Sequence, residues 1–335
     1  MLVRKVLVLV MLVAFTASLL VATAPPAHAA RTWSVIAGGG TKDVSVVANA
    51  FFPRTIEVAL GDTVTWKFQG FHNVVFLGGE QPPSLEVQEG NKTYFNPQVA
   101  FPAGGKTYAG TGYHNSGVPP DDPKAAAKFG YALTFTKAGT YPYVCIIHGP
   151  AMSGTVVVKD RAMGSPASVA RRAQSEQTAA IRAGQKAWAA WKTEREGATV
   201  VVPLLGDPKA GFSIFRFSRQ PLVIPVGTTV KWVMRDPFEI HTVTFWGTGR
   251  PPAFIIPEPQ PQGPPKLLVN PQVAAPTPHK TFDGTGYVNS GILYPPGAPP
   301  DLPKSYSLTF TKPGRYVYVC VVHTLEGMYG TIIVK

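Results

Sequence analysis

The chain has 335 residues, 45% of them apolar and 11% aromatic, which is more than one ordinary domain needs and enough to build cores in two. Its 33 glycines and 34 prolines lie between apolar, β-branched runs such as TVTWKF and YALTFT, so they read as turns and long loops of a mostly β protein better than as disorder. The formal charge is +12, or +10 without Arg4 and Lys5, and apart from Arg171, Arg172, Arg182, Lys186 and Lys192 the basic residues are scattered, which argues against nucleic acid and for anionic surfaces or acidic partner proteins.

Residues 1–29 place Arg4 and Lys5 before an apolar run and end in A-x-A at Ala27 and Ala29, the pattern of a signal peptide cut after Ala29. An uncleaved anchor is the competing expectation. Either way the chain is expected to be exported: periplasmic, extracellular or associated with the cell envelope. No cysteine lies near the cleavage site, which excludes lipid attachment to an N-terminal cysteine, and no later run is long and apolar enough to span a membrane.

From residue 31 onward the chain aligns with itself. EVALGDTVTWKF (57 to 68) answers to LVIPVGTTVKWV (222 to 233), FHNVVF to IHTVTF, and NPQVA at 96 to NPQVA at 270. KTYAGTGYHNSG (106 to 117) answers to KTFDGTGYVNSG (280 to 291), and YALTFTKAGTYPYVCIIH (131 to 148) to YSLTFTKPGRYVYVCVVH (306 to 323). Two copies of one domain are expected, over 31–160 and 198–335. Alternation such as Thr63-Val64-Thr65-Trp66-Lys67-Phe68 between glycine turns reads as antiparallel strands of a sandwich or barrel. The Pro/Gly-rich stretches 77–130 and 246–305 exceed a simple connection, yet both carry the NPQVA and GTGY elements, so ordered embellishments are expected.

Residues 161–197 differ in character. Ser165 suits a cap, Pro166 the first turn, and Ala, Arg, Gln, Lys and Glu dominate until Gly197. A helix of about 30 residues, some 45 Å long, is expected to act as a spacer, with Ile181, Gly184, Trp188 and Trp191 on one face against a domain. That face is too narrow for a membrane-surface helix.

The only cysteines, Cys145 and Cys320, sit at equivalent places in the two copies. A disulfide is the ordinary reading of two cysteines in an exported chain. It would leave the repeated histidines and methionines unexplained: His72, Cys145, His148 and Met152 occur in that order in the first copy, and His241, Cys320, His323 and Met328 in the second. Two imidazoles and a thiolate with a weak thioether suit copper, one per copy, whereas zinc wants a fourth strong ligand.

With these residues in view, the sequence resembles the cupredoxins, the blue copper family of plastocyanin, azurin and pseudoazurin. The marks are G-D-T-V-x-W before the first histidine, H-x-V-x-F around it, and T-F-x-x-x-G-x-Y-x-Y-x-C-x-x-H leading to methionine and G-T-[VI]-[VI]-V. The second copy has C-x2-H-x4-M and the first C-x2-H-x3-M, one residue tighter. The resemblance implies an all-β chain of two tandem Greek-key β-sandwich domains joined by a long α-helical linker. It further implies that His72 and His241 are buried imidazole ligands, Cys145 and Cys320 thiolates, His148 and His323 imidazoles near the surface, and Met152 and Met328 axial ligands. The outer edge of the second histidine would be the electron port, with Pro150, Ala151 and Leu325 in its apolar surround. The residue after the first histidine, Asn73 in one copy and Thr242 in the other, would help to fix the thiolate, so the two potentials are expected to differ.

Catalysis by related copper oxidases fails on histidine number. Four of the seven histidines are used, His28 leaves with the leader, and His114 and His279 read as loop residues; no H-x-H pair exists for a trinuclear cluster. The expectation is an electron carrier and not an enzyme, exchanging electrons with cytochrome-like or oxidase-like proteins of acidic surface, with contact to an anionic membrane or envelope surface also expected. Copper storage or delivery, and a surface interaction module with secondary copper, remain the alternatives.

Overall fold

The computed structural model describes residues 29–335 apart from residue 121, so the expected leader lies outside the described residues except for Ala29. Among the described residues no helix is long and apolar enough to cross a membrane.

In the first unit every second residue of Thr32–Gly38 turns inward, and Trp33 and Val35 are fully buried. That strand runs parallel to Thr63–Gln69, with Trp33 beside Val64 and Val35 beside Trp66. Gly130–Phe135 pairs antiparallel on the other side of Thr63–Gln69. Opposite lies a second sheet in the order Thr55–Ala59, Gly149–Lys159, Gly139–Cys145, Val75–Phe76, His114–Ser116, Pro102–Ala103. Between the sheets Trp66 meets Tyr143 and Phe76 edge-on at 5.4 and 5.8 Å, an arrangement that suits the ring quadrupoles.

The second unit repeats this plan. Thr199–Asp207 runs parallel to Thr229–Arg235, which pairs with Ser305–Phe310. Across the core Trp232 meets Tyr318 at 5.3 Å, and its Nε1 donates to the Tyr318 hydroxyl at 3.2 Å. The expected duplicated all-β architecture is what the chain forms.

The helix of the connecting segment spans Pro166–Ala189, about 36 Å, and is shorter than the sequence suggests. Ser165 caps it, its hydroxyl accepting from Ser168 N at 3.2 Å while the Ser168 hydroxyl accepts from Ser165 N at 3.0 Å. It ends because Glu194–Glu196 leaves to pair with Thr199–Asp207, and Trp191 Nε1 donates to the Pro203 carbonyl at 3.0 Å. Val169, Ala173, Gln177, Ala180 and Gly184 form its buried face. That face lies on Thr32–Gly38, Val46–Ala48 and Phe51–Phe52 of the first unit and on Phe212–Ile214 of the second. It is a clamp on both units, where the sequence suggested a spacer between them. Gly184 permits this, since a Cβ there would overlap Val46 and approach the Phe212 ring at 3.1 Å.

Two strand pairings complete the docking. Phe212–Ile214 adds antiparallel to Val46–Ala48. The long Pro/Gly-rich segments of the two units meet in a four-stranded sheet, in the order Ile255–Glu258, Lys266–Val269, Lys92–Phe95, Glu86–Glu89, with Leu268 opposite Tyr94. At its margin Glu258 accepts from Lys92 Nζ at 2.7 Å and the Tyr94 hydroxyl at 2.8 Å, and Lys266 pairs with Glu89. These embellishments are ordered, and their strands join the units.

Candidate metal centres

Each first histidine stands in a short stretch held from both sides. Trp66 precedes His72 by six residues, and Trp232 precedes His241 by nine. In the first unit Gly38, at φ +85°, lets the His72 ring approach its backbone, because a Cβ there would overlap His72 Nε2 and the Gln69 carbonyl. Helix residue Gln177, buried, donates its Nε2 to the Gly38 carbonyl at 2.7 Å and so ties the clamp to the site.

The repeated NPQVA and NSG elements supply the other wall. Asn96 and Asn270 cap the short helices Pro97–Ala100 and Pro271–Ala274. Asn115 Nδ2 donates to the Gln98, Val99 and Phe101 carbonyls at 2.7, 3.1 and 3.1 Å, and Asn289 does the same to Gln272, Val273 and Ala275. The neighbouring Ser116 and Ser290 hydroxyls accept from Val74 N and Val243 N at 2.9 and 2.8 Å, two residues past each histidine.

The donors converge. His72 Nδ1 lies 3.1 Å from His148 Nδ1, and Cys145 Sγ lies 3.3 Å from His148 Nδ1. In the second unit Cys320 Sγ lies 3.3 Å from His323 Nδ1 and 3.7 Å from His241 Nδ1. All six groups are buried, and each set lies within 4.8 Å of itself. Donors around a trigonal ion with metal–nitrogen near 2.0 Å and metal–sulfur near 2.3 Å, values taken from zinc, would stand about 3.5 to 3.7 Å apart. The observed separations fit one ion among them, and one thiolate with two imidazoles suits copper.

Cys145 and Cys320 are both free and buried, which overturns the disulfide reading. Burial would push both thiols up, but His148 and His72 hold Cys145 down at about 5, and His323 and His241 hold Cys320 well below its ordinary range. The thiolate is the ligating form. Burial lowers His72, whereas the Glu239 carboxylate and the Cys145 thiolate overcome burial at His148 and push it up to about 10. Asn73 and Thr242 perform the same task with different atoms: Asn73 Oδ1 accepts from Ile146 N at 2.9 Å, and Thr242 Oγ1 from Val321 N at 2.8 Å, each fixing the residue after the cysteine. Cys320 Sγ also accepts from Thr242 N at 3.3 Å.

Met152 and Met328 are fully buried and lie in the same core clusters as Cys145 and Cys320. The loops differ. In the first, Cys145 pairs across a bulge with Gly149, at φ +65°; in the second, Val321–His323 forms a 3-10 turn and Met328 N donates to the His323 carbonyl at 3.1 Å. His114 hydrogen-bonds the Thr107 carbonyl through Nε2 at 3.1 Å, and among the described residues neither it nor His279 belongs to a donor cluster.

One expectation fails. His148 and His323 are each only 6% exposed, so neither presents a port to solvent. Their Nε2 atoms point to one carboxylate: Glu239 Oε1 lies 3.1 Å from His148 Nε2, and Oε2 lies 3.4 Å from His323 Nε2. Phe215 covers the His323 ring at 4.1 Å. Pro150 is exposed and Ala151 half-buried, and Leu325 stands 92% exposed, but Glu239 lies at the Nε2 edge of both rings.

Glu239 and Asp236 were missed from sequence. Both lie in the stretch between tryptophan and histidine, which is three residues longer in the second unit than in the first, and that length difference was the available signal. Asp236 Oδ1 accepts from Phe238 N at 2.9 Å and from the Ser213 hydroxyl at 2.9 Å, shaping the turn that presents Glu239; Oδ2 lies 3.6 Å from His241 Nε2, beyond hydrogen-bond length. Asn49 of the first unit donates to Glu239 Oε1 at 2.7 Å.

Residues 41–159 match the family model described as copper binding proteins, plastocyanin/azurin family. The first domain is a cupredoxin. The second unit repeats the sequence pattern of the first and has its own His241, Cys320 and His323 cluster, which supports two copper ions per chain. The chain is similar to a mutant of amicyanin in its Cu(I) form, at 21% identity over 41% of this chain and 83% of that one, with a TM-score of 0.23. It is similar also to oxidized plastocyanin from Dryopteris crassirhizoma, at 21% identity over 38% of this chain and 99% of that one, with a TM-score of 0.22. No curated protein sequence matches the chain.

Proposed function

We propose that this cupredoxin chain is an exported electron carrier, with one copper held by His72, Cys145, His148 and Met152 and a second by His241, Cys320, His323 and Met328. The observation that carries the reading is the pair of buried clusters, each of two imidazole nitrogens and one thiolate, on rigid strands and short loops of two copies of one fold. Copper, when bound, supplies a one-electron couple between its cuprous and cupric forms. The chain's own part is to keep the donors in nearly the same place in both forms. The strands Gly139–Cys145 and Gly314–Val319 lead to the thiolates, the Asn73 and Thr242 bonds fix the following amides, and the surrounding aromatic cores exclude water. Partners would be cytochrome-like or oxidase-like proteins whose acidic surfaces suit a chain of net positive charge.

Metal analysis of copper-loaded protein with visible spectroscopy tests this. Two coppers per chain and intense blue colour are expected, and Cys145→Ser and Cys320→Ser should each remove about half of the colour and one copper. A colourless protein that binds copper weakly and exchanges it freely with a chelator would favour storage or delivery and overturn the carrier reading.

A further inference from the structure

We propose that Glu239 is a carboxylate shared by the two copper sites, accepting Nε2–H of His148 on one oxygen and Nε2–H of His323 on the other, so that the sites work as one coupled pair. The inference rests on the copper reading above and goes beyond it, because two tandem copper domains need not communicate.

In each site the histidine turns Nδ1 toward the thiolate, at 3.3 Å in both. A ring that gives Nδ1 to a metal carries its proton on Nε2, and that proton needs an acceptor when the ring is buried. Glu239 has two oxygens, and each faces one such nitrogen, at 3.1 and 3.4 Å. The carboxylate is only 7% exposed, and a buried negative charge persists only where donors or positive charge surround it. Among the described residues its partners are these two imidazoles and Asn49 Nδ2 at 2.7 Å, the last from the first unit. Glu239 itself belongs to the second unit, so the contact exists only in the docked chain that the helix clamp and the two strand pairings hold together.

A carboxylate behind a metal-bound histidine orients the ring and raises its basicity, and removing one commonly weakens metal binding 10 to 100-fold. Here a single carboxylate serves two rings. Its charge favours the more positive, cupric form at both sites, and whatever polarises it from one side is felt on the other. Coupling of this kind is reciprocal: the state of the second site shifts the first by the same factor as the first shifts the second. A glutamine at 239 has one acceptor oxygen and one NH2 donor, so it can serve only one ring and sets a donor against the other.

The test compares wild type, Cys320→Ser, Glu239→Gln and the double variant. Cuprous-ion affinity is read by competition with a chelating probe, and the potential of the first site by titration of its blue absorption. In Glu239→Gln, cuprous affinity is expected to fall about 10 to 100-fold at one site or both, and both potentials are expected to rise. The shift that Cys320→Ser causes in the first site's potential should largely vanish in the glutamine background. On the wild-type protein loaded with cuprous ion, which is diamagnetic, proton NMR should show two slowly exchanging imidazole Nε2–H signals from His148 and His323. Potentials that ignore Glu239→Gln, or Nε2–H protons that exchange as fast as those of a solvent-facing imidazole, overturn the shared carboxylate while leaving a blue two-copper protein intact. Loss of the copper reading itself would appear differently, as wild-type protein that binds no copper.

Discussion

Gly38 and Gly61 have the same backbone angle, φ +85°, and very different surroundings, which makes them a matched pair. A Cβ at Gly61 would meet nothing within 4 Å, whereas a Cβ at Gly38 would overlap His72 Nε2 and the Gln69 carbonyl. Alanine at either position costs about 1 to 2 kcal/mol for holding a left-handed conformation. At Gly38 the overlap adds roughly 1 to 3 kcal/mol, because the Gln69 carbonyl is backbone and Gly38 is itself held by Gln177 and by its bond to the Ala50 carbonyl at 3.0 Å. Gly61→Ala is therefore expected to lose about 1 to 2 kcal/mol and keep both copper sites. Gly38→Ala should lose roughly 2 to 5 kcal/mol and displace His72, abolishing or altering the first site while the second keeps its copper. Denaturant titration of the metal-free proteins gives the stability difference, and copper stoichiometry with the visible spectrum reports the sites. The reasoning is refuted if Gly38→Ala is no more destabilising than Gly61→Ala and binds copper at the first site with the wild-type spectrum.

Asn115→Ala removes one side chain that serves three carbonyls, and should destabilise the first unit by about 1 to 3 kcal/mol by denaturant titration, with Asn289→Ala doing the same to the second. Gly184→Val should push the helix from Val46 and Phe212 and turn one coincident unfolding transition into two, as read by fluorescence and circular dichroism together. Copper should stabilise the chain by mass action: free ion at 100 times the dissociation constant is expected to add about 2.7 kcal/mol per site, and Cys145→Ser should halve the total gain. A gain that Cys145→Ser leaves unchanged would place the metal elsewhere.

What the sequence disclosed followed from repetition. The strands were legible because Trp33, Val64, Trp66 and their counterparts alternate, and the donor sets because cysteine and histidine recur in the same order in both copies. The helix start at Ser165 and Pro166 was legible from cap chemistry, while its end was not, since the strand pairing of Glu194–Glu196 that stops it is tertiary. The clamp escaped notice because its buried face is built from small residues and Gln177, which carry little hydrophobic signal. The NPQVA and GTGY elements were visible as repeats, but their purpose is a set of side-chain bonds to carbonyls that no periodicity encodes. Glu239 is the clearest case: one of two acidic residues in a stretch that is three residues longer than its counterpart, given meaning only by a histidine 91 positions earlier and another 84 positions later.

The two copies therefore inform in different ways where they agree and where they part. Agreement at His72 and His241, Cys145 and Cys320, and Asn115 and Asn289 preserves what each unit needs to build a site alone. A strict duplication would leave both second histidines with equivalent outer edges and no reason to face one another. The departures remove that equivalence: the lengthened stretch bearing Asp236 and Glu239 belongs to the second unit, Asn49 reaches it from the first, and Phe215 lies against the His323 and His241 rings of the second site. Each of these side chains is buried at the junction, where an unpartnered carboxylate would cost more than the junction could recover, so they make sense only as a set and only with the units docked. Communication between the copper sites is thus a property of the asymmetry, and it would be lost if either unit were expressed without the other.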